Sequence, residues 1–463
     1  MTLETHPKTP DADPHVTQPS IAMTTAAALA VADMIGIGVF TSLGFQVKDI
    51  PSGFALLALW IVGGVVALCG ALSYAELATA FPRSGGEYNF LSRIYGRAVG
   101  FMAGWISATV GFAAPVALAA MAFGQYLAGV LPPSLGGNAA LPLLMALGLV
   151  WGVALVHMRG VEHGSRFHNI ATLLKVALIA GFIVAGLVFG GRQPVSFWPK
   201  AGDLGHILSA PFAIGLVFVM YAYSGWNAVT YIAGEVRDPR RSLPTSVLIA
   251  TSVVALLYVG LNAVFLLTTP IPKLAGQIDV GLIAGREIFG DNGGRIAGAL
   301  ICLGLVSAVS AMTWIGPRVT MVMGEDLAVF GRFAVKSANG TPVVAIAFQA
   351  VMATLLLATQ SFESVLDFIQ FSLTFSSFLA VAGVIVLRWT EPELERPYRV
   401  WAYPLPPLVF LGVTGFMMIY LVRERPLQSL AGFAMMLAGL GVYHVATREA
   451  AATAQKRDTA QKR

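Results

Sequence analysis

The chain has 463 residues, of which 56% are hydrophobic and 11% charged, with a formal charge of +5 at pH 7. An ordinary soluble domain carries roughly 25% charged residues, so water is not the main solvent of this fold. The basic residues are spread in twos and threes between apolar runs instead of forming one patch, which speaks for a membrane and against nucleic acid as the partner.

Residues 1–20 are polar, rich in Pro, Thr and Asp, and lack the basic start and short apolar core of a cleaved leader. They read as a disordered cytoplasmic tail. Beyond them, apolar runs long enough to cross about 30 Å of hydrocarbon as helices recur along the chain. Twelve spans are expected, at 22–46, 53–80, 97–130, 139–158, 168–190, 208–234, 243–269, 294–323, 342–360, 363–388, 403–421 and 427–446. The connections 270–293 and 389–402 are too short to hold a separate soluble core. Between Asp279 and Phe289 the spacing is helical, and this stretch is expected to lie across the outer face as a lid or connector.

An even number of spans puts both termini on one side. Twenty Lys and Arg fall on that side, eight on the other, and Lys175 lies inside a span. Basic residues accumulate on the cytoplasmic face, so both tails, including 447–463, and the loops carrying Arg83, Arg93, Arg97, Arg237, Arg240 and Arg241 are expected there, in a plasma or inner membrane. The Arg and Glu residues of 81–97 and of Glu235 to Pro244 serve either as inner-gate ion pairs or as plain topological charge. Cys69 and Cys302 fall inside apolar runs as small hydrophobes, and His157, His163 and His168 read as interface residues. Neither metal nor cofactor is expected, and no motif of an intramembrane enzyme is present.

Span 1 carries Met34, Ile35, Gly36, Ile37, Gly38 and Val39 at the depth of the bilayer centre. Span 6 repeats a small, polar interruption at Tyr221, Ser224, Gly225 and Trp226. If spans 1–5 (21–190) and 6–10 (208–388) share a fold, the odd number of helices in each turns the second half upside down: an inverted repeat, with 403–446 as two peripheral helices. Unwound turns free backbone groups that hydrocarbon cannot satisfy, so paired breaks mark a cavity. The amides opening the second half of span 1 suit a carboxylate, and carbonyls ending the first half-helices suit an ammonium. Together they fit an α-amino-acid zwitterion; taken singly, each glycine reads equally as a helix-packing residue.

Four stretches, MIGIGVF in span 1, SYAELATAFPRSGGEYNFLSRIYG after span 2, AYSGWNAVTYIAGEVRDPRRSLP through span 6 and LRWTEPELERPYRVWAYPLPP between spans 10 and 11, resemble the amino acid-polyamine-organocation superfamily of transporters. The span 6 wording is closest to its L-type amino acid transporter branch. The resemblance implies an all-α membrane protein of the LeuT-type fold, with twelve helices, a five-plus-five inverted repeat and helices 1 and 6 discontinuous. By motif position it implies that a substrate carboxylate meets the amides of Ile37, Gly38 and Val39, and the amine the carbonyls of Met34, Tyr221 and Ser224, with Tyr221 as the aromatic gate. Ile37 stands where relatives commonly have Ser, Thr or Ala, and Asp33 where they have a small or amide residue.

A carboxylate at mid-membrane lines water, pairs, or is protonated. Asp33 has four readings: an ion pair with Lys175, a proton carrier, a counter-ion for a cationic substrate, or a neutral acid bonded to a carbonyl. Lys175 resembles the lysine that replaces the second sodium in sodium-independent members, its ammonium then bridging spans 1 and 8, where Ser307 and Ser310 share a face. The expectation is therefore a sodium-independent secondary transporter of amino acids, by proton symport or by exchange, performing no chemistry. Its partners are the substrate, the bilayer and, in the symport case, protons; the sequence names no accessory subunit. Two rivals stay open. One is a polyamine or cationic amine carrier, favoured by Asp33 and disfavoured by a lack of further acids on spans 3, 6 and 10. The other is a non-transporting amino acid sensor.

Overall fold

The structure is a computed structural model that describes residues 21–132, 138–160 and 164–461. The expected tail 1–20, His163 and the side chain of His168 fall outside it. Among the described residues the regular structure is helical, with one isolated parallel bridge between Ile21 and Val236. Eleven helices are long and apolar enough to cross a membrane. The ninth expected span is shorter: it starts after Pro342 and runs Val343–Leu357, 15 residues. That is about 22 Å at 1.5 Å per residue, less than the hydrocarbon thickness.

The first span is two helices, α1 (Met23–Met34) and α2 (Gly38–Gln46). Helix α3 (Gly53–Ala80) opens on Ser52, whose side chain accepts from the Ala55 amide. A short amphipathic helix, α4 (Glu87–Tyr95), precedes α5 (Arg97–Ile106), a π-turn at Ser107–Gly111, and α6 (Ala113–Val130). Then come α7 (Leu141–Met158) and α8 (Gly164–Phe189). After the turn α9 (Asp203–Ile207), the sixth span starts as α10 (Ala210–Tyr223), capped by Ser209, and resumes only as a 3-10 segment, Ala228–Glu235.

The second half continues with α11 (Pro239–Thr268), a turn α12 (Ile271–Leu274) and α13 (Val280–Asp326). Helix α13 is interrupted at Gly290, whose φ of 72° lies in the left-handed region glycine tolerates. The stretch before that kink is the helix expected from Asp279 to Phe289. A turn, α14 (Gly331–Ala334), leads to α15 (Val343–Leu357), α16 (Phe362–Thr390), α17 (Leu405–Glu424) and α18 (Pro426–Gln461). The last helix thus continues through most of the stretch read as a tail.

The broken spans lie at the centre. In the first span 89% of the most apolar window is buried, against 22% in α7 and in α18. Helix α2 packs on α10, and α1 on the 3-10 half of span 6, so each half-helix meets the complementary half of the other broken span. Outward-facing Leu144, Val188, Leu256 and Leu430 are exposed, as expected where lipid tails, not water, cover the surface.

Candidate substrate site

The two breaks touch. Helix α1 ends where the Gly36 amide turns back to the Met34 carbonyl at 2.7 Å, and α10 ends where the Ser224 amide bonds the Tyr221 carbonyl at 3.0 Å. Gly225 takes φ 98°, and a Cβ there would stand 2.6 Å from Asp33 Oδ2 and 2.9 Å from the Asp33 carbonyl carbon. Only glycine fits both the torsion and the space. Gly38 is as constrained: a Cβ would run into the Cα and Cβ of Ala222. Both glycines thus let the two breaks pack closely, and Gly225 also lines the cavity beside them.

A cavity of about 100 Å³ lies beside the breaks, lined among others by Asp33, Ser224, Gly225, Trp226, Asn227, Tyr231, Met312, Gln370 and Thr374. The π-turn contributes Ser107 and Gly111 to its wall, as π-bulges often do at functional sites. Trp226 is held edge-on to Tyr74 at 4.7 Å and to Phe410 at 6.0 Å. Among the described residues the Ile37, Gly38 and Val39 amides have no backbone acceptor, which leaves them free for an anion, but they do not line this cavity. Of the three carbonyls expected to take an amine, that of Met34 already accepts from Gly36 and from the Tyr258 hydroxyl at 2.5 Å, and that of Tyr221 from Ser224. Ser224 lines the cavity, while Tyr221 stands outside it, its ring 6.4 Å from Phe362.

Asp33 is 5% exposed, and its Oδ1 has no hydrogen-bond partner. It is not ion-paired to Lys175: no oxygen of Asp33 comes within 4.0 Å of that ammonium among the described ion pairs. Lys175, 3% exposed, instead donates to the Ala32 and Ile35 carbonyls at 2.8 and 2.9 Å. These are orphan carbonyls at the end of α1, a position where a cation is favourable. The expected bridge to span 8 is absent. Ser310 is taken by His157 Nε2 at 2.8 Å, Ser307 Oγ has no partner, and the carbon stem of Lys175 lies near Gly304 of α13. His157, half-buried in the last turn of α7, thereby ties α7 to α13.

Sequence reasoning missed Glu87. Positive φ at Gly85 (110°) and Gly86 (50°) turns the chain sharply before α4, and a side chain at Gly86 would strike the Tyr231 ring. The turn delivers Glu87, 2% exposed, into the cavity wall. Its carboxylate accepts from Tyr74 (2.5 Å), Ser377 (2.8 Å), Tyr231 (3.2 Å) and Asn227 (3.5 Å). Burial pushes it above the ordinary carboxylate range, and these donors pull the other way. The signal was present in PRSGGEY, two glycines ahead of an acid at a helix start. Span 10 is not free of acids either: Glu363 and Asp367 lie on α16, Asp367 buried and 3.4 Å from Arg425.

Ion pairs close the rim on the Arg83 side. Arg83 is bidentate to Asp326 at 2.8 and 3.2 Å, Tyr88 donates to the same carboxylate at 2.7 Å, and Arg318 meets Glu235 at 3.0 Å. Deeper, Glu76 gathers Arg388 at 2.7 Å, Arg396 at 3.4 Å and the Val400 amide at 2.7 Å. That cluster explains the Arg-Pro-Tyr-Arg link as a structural clamp. Toward the opposite rim a wider cavity of about 390 Å³ includes Phe45, Phe218, Lys48, Glu363 and Arg425. Phe45 stacks on Phe218 and Phe362 at 5.0 and 6.1 Å, an aromatic plug in front of Tyr221.

Paired broken helices beside a cavity and a lysine on the α1 carbonyls agree with the sequence comparison, in which the amino acid permease family matches residues 21–443. The chain belongs to that family. The permease is 28% identical over 432 residues to the large neutral amino acids transporter small subunit 2 of Mus musculus, covering 91% of this chain and 80% of that one. The Homo sapiens protein of the same name is also 28% identical, with 91% and 79% covered. The b(0,+)-type amino acid transporter 1 of Mus musculus is 26% identical, with 92% and 87% covered. The permease is thus an all-α transporter of the L-type branch and LeuT-type fold, not an enzyme.

Proposed function

We propose that this permease moves amino acids across a cell membrane without sodium, by alternating access around the paired breaks. The observation that carries the reading is the Lys175 ammonium, held by the Ala32 and Ile35 carbonyls at 2.8 and 2.9 Å. A fixed ammonium there supplies the charge that an unwound helix end would otherwise take from a bound metal cation. In this reading residues 21–190 and 208–388 form inverted halves, 403–446 are peripheral, α15 completes twelve crossings, and both termini are cytoplasmic. The Arg83–Asp326 and Arg318–Glu235 pairs then form an inner gate and the Phe45, Phe218 and Phe362 rings an outer one.

The test is uptake of labelled alanine into sodium-free proteoliposomes, either with an inward proton gradient or with unlabelled amino acid preloaded. Gradient-driven uptake into empty vesicles identifies a symporter, and uptake only into preloaded vesicles an exchanger. Uptake that requires sodium overturns the reading.

A further inference from the structure

Helix α16 of the permease carries a polar face. Glu363, Asp367, Gln370, Thr374 and Ser377 recur at alternating intervals of four and three residues, the spacing that keeps side chains on one side of a helix. The two ends of this row lie in different cavities. Glu363 lines the wider cavity beyond the aromatic plug, while Gln370, Thr374 and Ser377 line the one beside the breaks. Asp367 stands between them in the row.

Asp367 is 3% exposed; its Oδ2 lies 3.4 Å from Arg425 Nε, and its Oδ1 has no hydrogen-bond partner. A buried carboxylate is costly unless a partner or water offsets its charge. Among the described ion pairs Arg425 is the one cation that does so for Asp367. Arg425 caps the end of α17, half-exposed in the wall of the wider cavity. The pair therefore ties the interior of α16 to the turn between α17 and α18.

That tie lies close to the plug. Phe362, at the start of α16, is one of its rings, 6.1 Å from Phe45 of α2 and 6.4 Å from Tyr221 of α10. The rings stay stacked only while the end of α16 is held against α2 and α10. Releasing Asp367 from Arg425 removes a charged anchor from that end, and a bare Asp367 anion would draw water in from the wider cavity. Both effects favour parting of the plug.

We infer that Asp367 is a positioning residue for transport: through Arg425 it holds the end of α16 in the plugged arrangement and so sets how often the inner cavity opens toward the wider one. The inference rests on the alternating-access reading.

The experiment uses the full-length permease in right-side-out and inside-out membrane vesicles, each preloaded with unlabelled alanine and free of sodium. The half-saturating concentration of labelled alanine is measured at each face, after subtracting vesicles from cells that lack the permease. Apparent affinity at a face scales with the fraction of molecules open there, so in Asp367→Asn the half-saturating concentration should fall about threefold or more at the outer face and rise about threefold or more at the inner one. A merely structural loss moves both faces the same way. Arg425→Gln alters a half-exposed side chain, gives the same opposed shifts, and keeps the test available should Asp367→Asn not fold. Because both act on one bond, the double variant should shift no further than the larger single one. Folded variants whose half-saturation is unchanged, or moves in one direction at both faces, overturn the inference and leave the transport reading standing. No alanine exchange by the unaltered permease in either vesicle, with or without sodium, overturns both.

Discussion

Replacing Lys175 by Met keeps the side-chain stem and removes only the ammonium. In the structure that ammonium is the donor to the Ala32 and Ile35 carbonyls, and neither carbonyl receives a backbone amide across the break among the described residues. Each buried acceptor left bare costs about 1 to 3 kcal/mol, so the variant should lose about 2 to 6 kcal/mol against a total stability of about 5 to 15 kcal/mol. At roughly 2 °C per kcal/mol for a large chain, the melting temperature of the detergent-purified protein should drop by roughly 4 to 12 °C. The control is Lys273→Met, which removes the half-exposed Lys273–Glu287 pair and should shift stability by less than about 1 kcal/mol. Tryptophan fluorescence on heating reads both, and sodium-free exchange reads the function. A Lys175→Met protein that melts within 2 °C of the parent, by the roughly 2 °C per kcal/mol scale, and exchanges normally would refute the claim that this lysine holds the break together.

Gly38→Ala should collapse the contact between the broken spans, because the new methyl meets Ala222 backbone and not a flexible side chain; overpacking of about 1 to 3 kcal/mol is expected, read as a lower melting temperature and lost transport. Glu76→Gln should cost about 3 to 5 kcal/mol by leaving Arg388 and Arg396 without their shared buried partner, whereas Glu395→Gln at the exposed Arg240 pair should be silent in the same melt. Arg83→Ala breaks a half-exposed pair worth about 1 kcal/mol or less, so its melt should barely move while its exchange rate changes severalfold; a rate within error of the parent would count against Arg83 as a gate. Glu87 has its pKa raised by burial, which means the folded state disfavours its anion: this group's contribution to stability grows as pH falls and shrinks once pH rises through its folded value. Its charge is therefore lost earlier on acidification than that of an ordinary glutamate, and amino acid exchange should change toward acid pH, with Glu87→Gln flattening the profile.

The parts of the fold that were legible in the sequence are those where the membrane penalises a residue type. Glycine pairs and charged side chains are expensive inside a helix in hydrocarbon, so Gly36, Gly38, Gly225, Asp33 and Lys175 stood out. What those charges bond to was not legible. Asp33 and Lys175 looked like partners because opposite charges in one bilayer usually are, yet the helix end captured the lysine first. Glu87 was overlooked for the converse reason: it belongs to a charged loop, where an acid does not stand out by itself, and its one cue is the Gly85–Gly86 pair whose turn takes it inward. The ninth span came out short because Pro342 sits at its start and Gln360, at φ 52°, lies just past its end, two local breaks that an apolar average over 342–360 conceals.

The wiring of Glu87 bears on how cargo could drive movement. A ligand shifts a conformational equilibrium only through contacts that differ between the two states. The Glu87 donors come from α3 (Tyr74), from span 6 beyond its break (Asn227, Tyr231) and from α16 (Ser377), while Asp33 sits on α1 against Gly225. Any sliding of the broken helices against α3 and α16 must stretch or exchange those bonds, at about 1.5 to 3 kcal/mol for each hydrogen bond to a charged group. Cargo that gives Glu87 a hydrogen-bond donor where its own donors let go would offset that loss. Cargo lacking such a donor would leave Glu87 dependent on its protein donors and the helices locked by them, so recognition of cargo and permission to move would arise from the same carboxylate.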